Sequence, residues 1–244
     1  MELSIIGYDP IGAWKNTAGT VDELLKYANP AGLTWINTYG FDDAAAMARF
    51  AEVFKIHPLT VEDIQDAEQR PKVEEFDDYL FITLKAVNPD SHLVFEHVSI
   101  IVTDDTVITF QEKPGDYFDG IRKRIMNNAG RIRRMGSDYL AYAIMDAAAD
   151  EYFVILDKLG SEIEDFEDRA VDESDTDFIH DIQHIKRKLL RVRRVVWPLR
   201  ESLSVLMHMD SKLISDDLDP FLKDLYDHTI KAAETVETYR ELIT

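Results

Sequence analysis

The chain has 244 residues, 45% of them hydrophobic, no cysteine and a formal net charge of −20. That is enough apolar material for one large domain, or for a smaller domain with a helical extension. The acidic excess argues against nucleic-acid phosphates as partners and points either to cations or simply to solubility, while the lack of cysteine excludes a disulfide framework, a thiolate zinc site and a cysteine nucleophile and fits a cytosolic setting.

The N-terminus, MELSIIGYDP, has no basic segment leading into an apolar run, so it does not read as a secretory signal. Strand-like runs rich in β-branched and aromatic residues occur at Leu3 to Tyr8, Leu33 to Tyr39, Tyr79 to Val87, Leu93 to Val102 and Thr106 to Gln111, with Asp104-Asp105 as a hairpin turn. Between them, Thr20 and Glu23 form a capping box for a helix through Ala28, and Asp42 is placed to cap an Ala-rich helix to about Phe54. A short helix begins after Pro58 and carries Glu62, Asp63 and Asp66, then bends at Gln69-Arg70-Pro71 into a strand. Helices interleaved with strands predict an α/β/α sandwich with a mixed sheet over residues 1–136.

Beyond Pro114-Gly115 the pattern is helical. Asp116 can cap a helix reaching Asn128, and Ser137 can cap a helix to about Ala170, roughly 50 Å long. A polar turn over Asp172 to Asp175 follows. The most apolar stretch, Leu140 to Leu156, contains Asp146, Asp150 and Glu151, which makes it too costly to cross a bilayer. Two further helices carry heptad seams: Ile182, Ile185, Leu189, Val192, Val196, Leu199, Leu203 and Leu206, then Leu222, Leu225, Thr229, Ala232, Val236, Tyr239 and Ile243. With Asp210 to Pro220 as the turn, the long helices of residues 137–244 should pack antiparallel and form a stalk. The second seam is still in register at Thr244 without a Gly or Pro stop, so this helix is expected to continue into a further segment.

The candidate chemistry lies in carboxylates. Asp146 and Asp150 lie four apart on one helix face with Glu151 nearby, Asp224 and Asp227 lie three apart on the last helix, and Glu62 and Asp63 are adjacent on the short helix. Such groups suit a hard, oxygen-seeking ion such as Mg²⁺. The alternative is salt bridging to the basic face Lys186, Arg187, Lys188, Arg191, Arg193 and Arg194, which Glu162, Glu164, Asp165, Glu167 and Asp168 can also neutralise. His180 and His184 have the spacing of a helical metal pair, but no acidic third ligand is evident. No GxSxG, P-loop or GxGxxG occurs, so no enzyme activity is expected.

HPLTVEDIQDAEQRPKVEEFDDYLFITLKA resembles the hallmark of the CorA family of divalent-cation channels, as do VITFQEKPGDYFDGIRKRI, SDYLAYAIMDAAADEYFVILDKLGSEIEDFE, VVWPLRESLSVL and DLYDHTIKAAETVETYRELI, together spanning about Trp35 to Thr244. The resemblance implies a homopentameric Mg²⁺ channel on the inner membrane, whose cytosolic N-terminal domain is an α/β sandwich with membrane-directed helices. The last of these would continue into a pore helix and a Gly-Met-Asn motif. It also implies cations bound between neighbouring subunits, with Asp63 and a neighbour's Asp224 as the central pair and Glu62, Asp146 and Asp150 as further ligands. Asp66 stands where the family often has a neutral residue. Co²⁺, Ni²⁺, Zn²⁺ or Ca²⁺ could substitute in vitro, and a homologue that transports Co²⁺, Ni²⁺ or Zn²⁺ is one alternative reading. A soluble coiled-coil scaffold without ion function is the alternative from another class.

Overall fold

The computed structural model describes residues 2–27, 32–87, 93–115, 117–170 and 176–243, with side chains for all of these except 167–170 and 176–178. Seven described strands form one sheet: β1 (Glu2–Tyr8), β2 (Ala13–Ala18), β3 (Leu33–Tyr39), β4 (Lys72–Glu75), β5 (Leu80–Val87), β6 (Phe95–Val102) and β7 (Thr106–Gln111). Their order is β2-β1-β3-β7-β6-β5-β4, antiparallel throughout except where β3 lies parallel to β7. The inner strands read as nearly unbroken apolar runs because both faces are covered. Phe81, Ile101 and Ile108 point to one face, whereas Leu80, Ile82, Ile100 and Val107 point to the other.

The first face is covered by α1 (Val21–Leu25), α2 (Ala44–Val53) and α3 (Pro58–Gln65), through Val21, Leu24, Met47, Phe50 and Ile64. The second is covered by α4 (Asp119–Met126) and by the first half of α5 (Ser137–Ala170). One buried cluster then runs on without a break into α6 (Thr176–Met207) and α7 (Asp219–Leu242), which a turn and a short 3₁₀ segment, Asp216–Leu218, connect. The α/β/α sandwich with long helices is therefore the fold observed.

Both heptad seams are buried, from Ile185 to Leu206 and from Leu222 to Ile243, with Ile182 and Tyr239 partly covered. Arg193 midway along α6 pairs with Glu237 late in α7 at 3.0 Å, so these two helices run antiparallel. By contrast α5 and α7 run in the same direction: Tyr139 packs on Phe221, Phe153 on His228, and Tyr239 covers Gly160, where no side chain would fit. Gly160 thus leaves room on α5 for the Tyr239 hydroxyl.

Some local expectations need correction. Asp43, not Asp42, caps α2, accepting from the Ala46 N–H at 3.0 Å. Ser137 does not cap α5; it is the helix's first residue and its hydroxyl donates to the Thr103 carbonyl at 2.5 Å, tying the helix to the β6–β7 turn. The helix after Thr20 ends at Leu25, although its capping box is present, with Glu23 N–H donating to Thr20 Oγ1 and Glu23 accepting from Gly19 N–H. α4 begins at Asp119 without a side-chain cap; Asp116 and the turn over 172–175 lie outside the described residues. The edge strand β2, AWKNTA, shows no alternating apolar pattern in sequence.

Candidate metal centre

α5 and α7 lie side by side and parallel, so a face that repeats every four residues on one meets a similar face on the other. On α5 this face carries Tyr142, Asp146 and Asp150; on α7 it carries Asp224 and His228. Ligand atoms of Asp146, Asp150 and His228 all lie within 4.8 Å of one another, and His228 Nε2 is 3.9 Å from Asp224 Oδ1. Three of the five sequence-predicted acids, Asp146, Asp150 and Asp224, are therefore gathered at one place, together with a histidine that the sequence reading overlooked. The signal available was the spacing of Asp224 and His228, four apart; Asp227, three from Asp224, is exposed and is not part of the group.

Among the described residues, no basic side chain of α6 pairs with Asp146 or Asp150. Lys188 pairs with Glu162 at 2.6 Å and Arg193 with Glu237, so part of the basic run is balanced within the chain but not by Asp146 or Asp150. Asp146 is half-buried, and burial together with the Asp150 carboxylate raises its pKa above the ordinary carboxylate value, with His228 and a hydrogen bond from Tyr142 opposing. Burial, then Asp146, raises the pKa of Tyr142 as well, so it stays a neutral donor.

Ligands bonded directly to one Mg²⁺ lie at most about 4.2 Å apart, given bonds of about 2.1 Å. The cluster therefore suits an ion that keeps some of its waters, or ligands that close in by a fraction of an ångström. Without a cation the folded state disfavours the Asp146 charge, so at neutral pH this carboxylate subtracts from stability. Relieving one like-charge pair a helical turn apart is worth about 0.5 kcal/mol. Asp146→Asn should then raise the melting temperature in chelator by roughly 1–2 °C and reduce the further rise on adding Mg²⁺. A lower melting temperature in chelator would show the carboxylate to be internally compensated.

Glu62 and Asp63 lie elsewhere. They are on α3, on the opposite face of the sheet from α5 and α7, and line a shallow depression of about 590 Å³ with His57, Glu74 and Glu75. Asp63 is engaged within its own chain, paired with Lys72 Nζ at 2.7 Å and accepting from the Gln69 amide. Glu62 is exposed. The backbone N–H of Glu68 donates to Asp66 at 3.0 Å, which gives Asp66 a local turn-forming role. A single chain does not bring Asp63 to Asp224; only a second copy could. His180 and His184 belong to no group of three potential ligands among the described residues.

The model of the CorA-like Mg²⁺ transporter protein family matches residues 30–244. Over 248 aligned residues, the whole chain is 41% identical to the cobalt/magnesium transport protein CorA of Thermotoga maritima, covering 70% of that protein. The chain belongs to the CorA-like Mg²⁺ transporter family. Its fold is that of the soluble domain of CorA from Methanocaldococcus jannaschii, with a TM-score of 0.80 at 20% identity, covering 99% of this chain and 93% of that one. The full-length CmaX protein superposes with a TM-score of 0.83 at 14% identity, over all of this chain and 74% of that one. Among the described residues no helix is long and apolar enough to cross a membrane.

Proposed function

We propose that this chain is the cytoplasmic, cation-sensing part of a CorA-like divalent-cation channel in the inner membrane, and that the α5–α7 cluster is one of its sensing sites. The observation that supports this most is the convergence of Asp146, Asp150 and His228 within 4.8 Å, with Asp224 beside His228 and only the more distant charge of Arg124 opposing the repulsion at Asp146. In a homopentamer, Asp224 on an exposed face of α7 can meet Asp63 from the far side of a neighbour's sheet, and Glu62 adds a second carboxylate there. Lys72 holds Asp63 in the lone chain, so Mg²⁺ entering that interface has to displace the ammonium. Cations between subunits offset the repulsion between chains of charge −20 and favour a packed, closed ring; their loss lets the long helices tilt. Each hydrated contact is weak, so control is shared among several sites.

The test is flux through the full-length channel against internal Mg²⁺. Asp224→Ala should raise the Mg²⁺ needed for half-inhibition by about tenfold, the loss of roughly 1.4 kcal/mol of coupling. Asp224→Lys should hold the channel closed at low Mg²⁺ by supplying the missing positive charge. An Asp224→Ala channel that keeps the parent's inhibition curve removes Asp224 from the sensing site.

His228 favours a second reading. An imidazole beside two carboxylates binds Co²⁺, Ni²⁺ or Zn²⁺ more tightly than Mg²⁺, which prefers oxygen alone. If these ions are the physiological signal, His228→Gln should abolish Co²⁺ inhibition and leave the Mg²⁺ response nearly intact.

A further inference from the structure

A cavity of about 750 Å³ opens between α6, the α3–β4 loop and the edges of β5 and β6, and Arg70, Lys85, Arg191, Arg193 and Arg194 line it against one carboxylate, Glu68. The volume lies in the range of small-molecule sites. On a chain of net charge −20, the concentration of cations at one concavity runs against the average composition. Arg193 is engaged with Glu237 and lies over the Trp197 ring at 5.1 Å, with Arg200 at 5.5 Å from the same ring. Arg70, Arg191 and Arg194 are different: they are exposed and have no carboxylate within ion-pair distance among the described residues. Of the α5 acids expected to neutralise this basic run, Glu162 pairs with Lys188, Arg193 pairs instead with Glu237 on α7, and the side chains of Glu167 and Asp168 lie outside the described residues.

We propose that this cavity binds a small polyphosphate anion, of the class of a nucleoside di- or triphosphate. Three guanidinium groups from two separate elements repel one another until an anion sits between them, and their planar forks match adjacent phosphate oxygens in a way that lysine ammonium groups do not. The Lys85 Nζ, which donates to the Ala67 carbonyl at 2.5 Å, marks the inner wall. Phe95 and Trp197 add aromatic surface to the lining, the Trp197 ring standing beside Arg193 and Arg200. A small anion gains from the local cations within about one Debye length, roughly 8 Å, whereas a long nucleic acid would extend over the surrounding acidic surface and be repelled.

The experiment is calorimetric titration of the folded chain, in chelator, with sodium tripolyphosphate and separately with ATP. Chelation removes cation bridging, so a failure here leaves the α5–α7 metal reading untouched. Binding of either anion is expected, weakened at least tenfold in the Arg191→Gln/Arg194→Gln double variant and, on the other element, in Arg70→Gln, with circular dichroism unchanged. Tighter binding of ATP than of tripolyphosphate, with fluorescence quenching that Trp197→Phe removes, identifies the nucleoside as part of the ligand. Absence of binding by both anions, unchanged affinity in both variants, or co-sedimentation with phosphatidylglycerol vesicles alone overturns the proposal.

Discussion

Tyr152→Ala should cost about 3–5 kcal/mol, the range for removing a fully buried aromatic side chain and leaving a cavity. Tyr152 on α5 is fully buried, its ring meets Phe95 edge-on at 6.2 Å, and its hydroxyl donates to the Lys85 carbonyl on β5. One side chain thus joins the sheet to the long helices by both area and a hydrogen bond. Tyr152→Phe keeps the area and loses only the hydroxyl, so it should cost about 1 kcal/mol. Urea denaturation of the three proteins separates the two contributions through the midpoints at constant slope. If Tyr152→Ala loses less than about 1.5 kcal/mol, the joint is not held at this residue.

Acidification should destabilise the protein by about 2 kcal/mol at pH 5 and about 3 kcal/mol at pH 4 through His97 alone. This residue on β6 is fully buried against Phe41, with Nε2 at 2.8 Å from Ser99 Oγ. Burial, reinforced by the Lys85 ammonium, lowers its pKa to about 4, against an opposing pull from Asp66. In the unfolded chain the same imidazole titrates near 6.5. The sign follows: below that value the unfolded chain takes up a proton that the folded protein refuses, so stability is full above about pH 6.5 and is lost as pH falls towards 4. His97→Gln keeps a group able to bond Ser99 but does not titrate, and its stability should be flatter between pH 7 and pH 5 by about 2 kcal/mol. Parallel pH curves for the two proteins would show that His97 charges without cost. Asp146 works in the opposite sense, since its raised pKa means that protonation relieves it.

Long, strongly patterned segments were legible before the structure. The bounds of β3 and β7 coincide with their apolar runs, and α5 reaches Ala170 as expected but begins one residue earlier, at Ser137 itself. The heptad seams of α6 and α7 are the faces that become buried, because a repeat of three and four residues leaves one stripe to hide and only another helix can hide it. The family motifs likewise belong to the order of residues and need no coordinates. Asp146 and Asp150 could be named as candidates because carboxylates on an otherwise apolar helix are expensive unless something pairs with them, whereas Asp224 was named through the family resemblance.

Tertiary structure decided the rest. The edge strand β2 escaped detection because one neighbour and an exposed face leave its side chains free to be polar. His228 joined Asp146 and Asp150 only because α5 and α7 lie side by side and run in the same direction. Among the described residues the basic run of α6 divided according to what faced each residue; Lys188 met Glu162, Arg193 met Glu237, and Arg191 and Arg194 line the cavity opposite the α3–β4 loop. Periodicity along a sequence fixes which face of a helix is buried, but not which neighbour faces each charge, because that depends on packing between segments distant in the chain.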